Sequence, residues 1–239
     1  MSSKKIDIRS FKKNELIKFL KDFNYEPYRA QQILSRVNSQ QIDSFKKITN
    51  IPKDLIQLLD ENFFLSNTLI HQFQKSSDLT IKFSIKLHDN LIIEAVLIPT
   101  EKRITACVSS QVGCSLDCNF CATSRLKRIR NLESYEIYDQ IMLLNNESLK
   151  SFSKPISNIV FMGMGEPLLN YNNVIDSIDL ITGNQGLGIS KKKITLSTSG
   201  IYKMIKKMAD DNVKFNLAIS LHSAIEETRN QIMPFSKSF

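Results

Sequence analysis

The chain has 239 residues, of which 42% are hydrophobic, and its formal net charge is +8. This apolar fraction is enough for a packed core, and the length allows one large domain or two small ones. The sequence has no run of about 18 apolar residues, so we expect no membrane span and no membrane partner. The N-terminus is basic but has no apolar segment of the secretory kind. We therefore expect a cytoplasmic protein with reduced cysteines.

Most of the positive charge lies in the first quarter of the chain. Residues 1–53 carry 12 Lys and Arg against five Asp and Glu. Apolar residues at helical spacing predict helices over 14–23, 27–37 and 52–62, with a shorter one near 44–48. A basic helical module suits a polyanion such as RNA, because Lys and Arg release counterions from phosphates. A solvated lysine-rich surface explains the same charge equally well.

The pattern changes to strands after Leu69. Short segments rich in Ile, Val and Phe predict an antiparallel meander with a turn at 88–90. Beyond residue 100, strands predicted at 104–109, 157–162, 193–197 and 215–221 alternate with helices at 134–145, 172–181 and 201–211. We expect Ser223 and Glu226 to open a last helix as a capping box. Such alternation indicates a parallel sheet with helices outside it.

Three of the four cysteines, Cys114, Cys118 and Cys121, follow a C-x3-C-x2-C spacing. Thiolates this close on one loop can bind three corners of a [4Fe–4S] cluster and leave the fourth iron open. Zinc with a histidine as fourth ligand is an alternative, although His71 and His88 lie upstream in the strand region. A disulfide would require an oxidising compartment.

With Phe120 before the third cysteine, this spacing resembles the radical S-adenosylmethionine (SAM) signature. The run CVSSQVGCSLDCNFCATS resembles the RlmN/Cfr branch of that superfamily, and the likeness extends from about Phe11 to about Pro234. It implies an α/β fold with a partial parallel (β/α) barrel, a [4Fe–4S] cluster and SAM as cofactors. We accordingly expect a helical accessory domain over 1–64, a short antiparallel strand region over 65–100 and the barrel over 101–239.

The resemblance also implies an activity and partners. RlmN enzymes are dual-specificity RNA methyltransferases that methylate C2 of adenosine in 23S rRNA and in tRNA through a 5′-deoxyadenosyl radical. We expect an electron donor such as flavodoxin and a monomeric enzyme.

Polar residues follow the predicted strands, at the sheet edge where ligands gather in parallel βα folds. A lone Ser or His in such a place often makes only a local turn bond. Their repetition at successive strand ends favours a site instead. The resemblance assigns the SAM contacts to Phe120, Gly165, Glu166, Ser197, Ser220, Leu221 and His222.

Two further residues belong to the reaction centre by resemblance. Glu94 lies in an otherwise apolar strand and is assigned as a proton acceptor. Cys107 is assigned to the resolution of a covalent enzyme–RNA adduct, although a lone cysteine is most often a small buried apolar residue. The family pairs it with a C-terminal cysteine that carries the methyl group, and no cysteine follows Cys121. The sequence therefore predicts a truncated chain that does not complete the catalytic cycle alone.

Other functions remain open from the sequence. A Cfr-type enzyme would methylate C8, and a glycyl-radical activase would share the cysteine loop. Glu94 and Cys107 argue against the activase. A non-catalytic RNA-binding remnant is the third alternative.

Overall fold

The computed structural model describes residues 5–39, 42–183 and 186–235. The chain divides into two compact units, the first formed by 1–67 with 183–188 and the second by 68–182 with 189–239. None of the described helices is both long and apolar enough to cross a membrane.

The first unit is helical. Its elements are β1 (Ile6–Asp7), α1 (Lys13–Asp22), α2 (Tyr28–Ser39), α3 (Lys53–Asn62) and β2 (Phe63–Phe64). On α1, Leu16 and Leu20 are fully buried one turn apart, because this spacing places both on one face of the helix. The helices predicted over 14–23, 27–37 and 52–62 are confirmed. The one near 44–48 is a short 3-10 turn, Phe45–Lys47.

The second unit is built on a seven-stranded sheet. Its strands are β3 (Leu69–Lys75), β4 (Ile81–Lys86), β5 (Ile92–Pro99), β6 (Ile104–Cys107), β9 (Asn158–Phe161), β10 (Ile194–Thr198) and β11 (Asn216–Ile219). A separate pair, β7 (Gln111–Val112) and β8 (Arg130–Asn131), flanks the cysteine loop. The helices are α4 (Ser134–Phe152), α5 (Tyr171–Thr182), α6 (Tyr202–Asp210) and α7 (Glu226–Ile232).

The sheet joins parallel and antiparallel parts in the order β11-β10-β9-β6-β5-β4-β3. The strands β6, β9, β10 and β11 are parallel, which confirms the predicted alternation of strands and helices. The meander β3–β5 continues the same sheet in antiparallel pairing through the β5–β6 ladder. The antiparallel strands of residues 65–100 are therefore hydrogen-bonded directly to the parallel part.

Strand register decides which side chains share a face of this sheet. Cys107 pairs with Val96 on one side and with Val160 on the other, and Val160 in turn pairs with Thr195. Paired residues point to the same face, and so do residues two positions along each strand. The face that carries Cys107 consequently also carries Glu94 on β5 and Ser197 on β10.

The predicted capping box at the last helix is wrong. The helix α7 begins at Glu226, and its N-cap residue, Ile225, makes no side-chain cap bond. The Ser223 hydroxyl instead accepts a hydrogen bond from the Ile225 backbone N–H at 3.0 Å. Ser223 lies two residues before the N-cap, so it closes a local turn ahead of the helix rather than capping the first helical turn.

Candidate active site

A cavity of about 300 Å³ opens at the carboxyl ends of the parallel strands. This volume is in the range of small-molecule sites. Four segments of the chain supply its walls: the cysteine loop, the loop after β9, the end of β10 and the end of β11. Predicted site residues in the lining are Cys114, Cys118, Phe120, Cys121, Gly165, Glu166, Ser197, Ser220 and His222.

Hydrogen bonds within the cysteine loop determine its shape. The Cys121 N–H donates to the Cys118 carbonyl at 3.1 Å. The Ser124 hydroxyl lies 2.7 Å from the carbonyl oxygens of both Cys118 and Cys121. A 3-10 turn over Ala122–Arg125 follows. The loop is thus folded back on itself, and its three thiols, which form no disulfide, are directed to one pocket.

The thiols influence one another. The pKa of Cys118 is raised to about 11, chiefly by burial and in addition by negative charge on Cys121 and Cys114. Burial also raises the pKa of Cys114, and Cys121 and Glu166 add to that shift. A cationic iron group would reverse this repulsion, because metal binding favours the thiolate.

The donor set fits a cluster. Three thiols from one loop line one pocket, and thiolates are the ligands of iron–sulfur clusters. Among the described residues, the present side-chain positions do not bring three or more His, Cys, Asp or Glu together around a single metal ion. Each ligand of a cubane cluster binds a different iron, so the ligands need not converge on one point.

Glu166 is the carboxylate of the pocket, and it is 4% exposed. One oxygen accepts the Leu168 backbone N–H at 3.1 Å, and the other accepts both the backbone N–H and the hydroxyl of Ser199, at 2.8 and 2.7 Å. Its own N–H donates to the Gln111 side chain at 2.9 Å. These bonds fix the carboxylate between the loops after β9 and β10, where it is placed to meet a cationic group in the pocket.

Phe120 and His222 form the opposite wall. Their ring centroids are 4.0 Å apart, although 101 positions separate them in the sequence. His222 has φ of 58°, a left-handed conformation that turns the chain sharply after β11. His222 is thereby the histidine of the pocket, whereas His71 and His88, which the sequence offered as zinc ligands, do not line it.

Three predicted site residues do not line this pocket. Leu221 is 53% exposed beside His222. Glu94 is half exposed and forms an ion pair of 2.5 Å with Lys82. Cys107 is buried, and this burial raises its pKa to about 11. Glu94 and Cys107 lie on the sheet face that also carries Ser197. The pocket itself is lined by the cysteine loop and the strand ends.

Some residues of the site gave no usable signal in the sequence. Ser199 anchors Glu166, and the Arg229 guanidinium donates to the Ser199 carbonyl at 2.7 Å. The Asn119 side chain donates to the Gln231 carbonyl at 2.7 Å, which joins the cysteine loop to the end of α7. The helix α7 therefore braces two walls of the pocket. Only the repeated serines of Ser197–Ser199 could have suggested such a contact.

Gly113, just before the first cysteine, allows a close approach of two segments. Its φ is +75°, and an added Cβ would lie 2.3 Å from the backbone oxygen of Lys127. We expect Gly113→Ala to destabilise the fold by roughly 2–4 kcal/mol and to halve cluster loading or worse, because backbone cannot yield as a flexible side chain does. Thermal unfolding and iron content measure the two effects.

Gly188→Ala is the matched control for this substitution. Gly188 also has positive φ, +63°, but an added Cβ would meet nothing within 4 Å. Gly188→Ala should lower the free energy of unfolding only by the backbone strain, about 1 kcal/mol. Equal losses in the two variants would contradict the steric explanation at Gly113.

The fold and the pocket define a radical SAM protein, and comparison with known proteins shows the same class. The family model of the radical SAM superfamily matches residues 108–238. That of the ribosomal RNA large subunit methyltransferase N-terminal domain matches residues 6–65. A crystal structure of a radical SAM methyltransferase from Sphaerobacter thermophilus is similar with a TM-score of 0.85 and 30% identity, covering 98% of this chain and 69% of that one.

Curated relatives identify the family within this superfamily. The probable dual-specificity RNA methyltransferase RlmN of Flavobacterium psychrophilum is 58% identical over all 239 residues, which correspond to 69% of its own length. The protein of the same name from Christiangramia forsetii is 54% identical, again over the whole chain and 68% of the relative. The chain belongs to the RlmN family of radical SAM RNA methyltransferases. The family has a [4Fe–4S] cluster and SAM as cofactors, as the cysteine loop predicts.

Proposed function

We propose that this chain forms the cofactor-binding and RNA-binding part of an enzyme that methylates C2 of adenosine in 23S rRNA and in tRNA. The observation that carries the proposal is that three loop thiols and the buried Glu166 carboxylate line one pocket at the strand ends. A cluster ligand set and a partner for the SAM ammonium are thereby side by side. The names of the 58% and 54% identical relatives support the RNA substrate.

The pocket residues take distinct roles. Cys114, Cys118 and Cys121 would hold the cluster, and Glu166 would bind the SAM ammonium group. When bound, the cluster and SAM supply the 5′-deoxyadenosyl radical by one-electron cleavage of the sulfonium. The remaining contacts would come from the strand ends and the two aromatic rings: Phe120, Gly165, Ser197, Ser220, Leu221 and His222.

Cys107 and Glu94 would handle protons and the enzyme–RNA adduct. A buried thiol with a pKa of about 11 keeps its proton at neutral pH, so Cys107 needs a base before it can act as a thiolate. Glu94 is proposed as a proton acceptor of the reaction centre. It lies two residues from Val96, the direct partner of Cys107, and such diagonal neighbours are about 7–8 Å apart on one sheet face.

Regiochemistry and substrate can be tested in the host. In a host whose enzyme joins these 239 residues to a C-terminal segment with the methyl-carrying cysteine, disruption of the gene should remove 2-methyladenosine from both 23S rRNA and tRNA, as measured by mass spectrometry of nuclease digests. Loss of 8-methyladenosine would identify a Cfr-type enzyme instead. Unchanged levels of both nucleosides would support the non-catalytic remnant and contradict the proposal.

The whole enzyme is proposed to act in the cytoplasm as a monomer, with flavodoxin as electron donor.

The basic helical unit is the proposed RNA-binding module. Lys12, Lys13, Lys18 and Lys21 are exposed on or next to α1. Their replacement by Gln should weaken binding to a 23S rRNA fragment and lower the slope of log K against log salt by up to about 0.7–0.9 per lost phosphate contact. Filter binding across a salt series measures this slope.

The matched control replaces four exposed lysines of the other unit: Lys192, Lys193, Lys203 and Lys206. A slope that falls equally in both variants would show a general charge effect. If the slope of log K against log salt stays at the wild-type value in the first variant, the basic unit is a solvated surface that does not bind RNA.

A further inference from the structure

Five consecutive residues on the outside of the cysteine loop are exposed: Arg125, Leu126, Lys127, Arg128 and Ile129. We call them the 125–129 surface. Leu126 is 54% exposed and Ile129 is 63% exposed, so two large aliphatic side chains face solvent beside the three cations. The next residue, Arg130, differs because its guanidinium is bound to Asp89 and Glu136 at 2.7 Å each.

The 125–129 surface is attached to the first cluster cysteine by backbone contacts. The Cys114 N–H donates to the Leu126 carbonyl at 3.2 Å, and Cys114 forms an isolated bridge with Lys127. Gly113 lies against the same Lys127 backbone, at a distance that leaves no room for a side chain. The surface is therefore held at a fixed place directly beside the thiol that would bind iron.

The chemistry of the surface favours a protein over a nucleic acid. Three cations surround two aliphatic side chains, and none of the five residues is aromatic. Single-stranded RNA is held by its bases through stacking on aromatic rings, which this surface does not offer, so RNA would bind here only through its phosphates. Weak electron-transfer complexes use small interfaces and are steered by opposite charge, so an acidic surface with an apolar centre is the natural complement.

We propose that the 125–129 surface docks a small acidic one-electron donor protein of the flavodoxin type, whose cofactor then lies next to the cluster loop. This rests on the proposed function, since it assumes a cluster on Cys114, Cys118 and Cys121. In the transfer, the anionic hydroquinone of the donor flavin loses one electron and becomes the neutral semiquinone. A cluster held by Cys114, Cys118 and Cys121 would accept that electron, so that no proton need be transferred.

Charge reversal tests the proposal on the reconstituted protein. The variant Arg125→Glu, Lys127→Glu, Arg128→Glu should lower the second-order rate of cluster reduction by reduced flavodoxin at least about 10-fold at low salt, since steering of this kind contributes 10-fold or more. Reduction by dithionite, which needs no docking surface, should stay at the wild-type rate. Binding of oxidised flavodoxin, measured by calorimetry, should weaken by a similar factor. Leu126→Ser with Ile129→Ser should weaken binding with little change in its salt dependence.

The control with equal charge change is Lys192→Glu, Lys203→Glu, Lys206→Glu, at exposed positions outside the cysteine loop. It should keep wild-type reduction and binding. Wild-type rates in the 125–129 variant, or equal losses in the control, would overturn the proposal. So would an unchanged flavodoxin affinity with a lowered affinity for a 23S rRNA fragment, which would make this an RNA surface. If the proposed function is wrong, dithionite will not reduce a cluster in the wild-type protein. The affinity for flavodoxin then still shows whether the 125–129 surface binds the donor.

Discussion

Replacing Cys118 by alanine should abolish assembly of the iron–sulfur cluster, whereas replacing Cys107 should leave it intact. Cys118 lines the pocket with the two other loop thiols, and a cluster with only two protein ligands is not retained. Cys107 lies on β6, outside this pocket. After anaerobic reconstitution, the wild type and Cys107→Ala should hold about four irons per chain, and Cys118→Ala close to none. Iron analysis and electron paramagnetic resonance of the reduced protein measure both.

The Cys107 variant is also the control for general damage, since it removes a thiol that is more deeply buried than Cys118. Replacement of this small buried side chain by alanine should cost only about 1 kcal/mol of stability. Equal iron loss in the two variants would refute the assignment of the cluster to the loop. Full iron content in Cys118→Ala would do the same.

The 239-residue chain should cleave SAM without methylating RNA. The groups assigned to SAM are present, with Glu166 fixed by Ser199 and with the ring of Phe120 in contact with that of His222. No cysteine follows Cys121 to carry the methyl group that the family chemistry requires. Reconstituted protein with SAM, reductant and a 23S rRNA fragment should therefore form 5′-deoxyadenosine and no detectable 2-methyladenosine. Liquid chromatography with mass spectrometry quantifies both products.

A fusion provides the matched comparison. The chain corresponds to 69% of the length of the Flavobacterium psychrophilum relative, and a family segment with the methyl-carrying cysteine can be appended after Phe239. This fusion should produce 2-methyladenosine, and replacement of the appended cysteines by alanine should remove it again. Formation of 2-methyladenosine by the unextended chain would show that the methyl carrier has been misassigned.

The same fusion should improve solubility. Among the described residues, β11 pairs only with β10 and ends the sheet, and its Leu217 and Ile219 are 41% and 47% exposed. An unpaired strand edge with exposed aliphatic side chains favours aggregation. Light scattering of the unextended chain and of the fusion at equal concentration would show whether the appended segment protects this edge.

The sequence by itself determined the class of fold and the chemistry of the metal site. The helical pattern of the first 62 residues and the alternation of strands and helices after residue 100 depend on local periodicity, which the chain carries in each segment. The cysteine spacing places three thiols on one short loop whatever surrounds it. Local signals were weaker at helix ends, because a serine that fits a capping box can close a turn instead, as Ser223 does.

The tertiary structure decided how distant residues meet. Only strand register places Glu94 and Cys107 on one face, and only the turn at His222 brings its ring against that of Phe120. The role of Ser199 likewise depends on the distance between two loops that belong to different βα units. Sequence periodicity specifies which side of an element is apolar, but contacts between elements follow from sheet order and loop packing, which no single segment encodes.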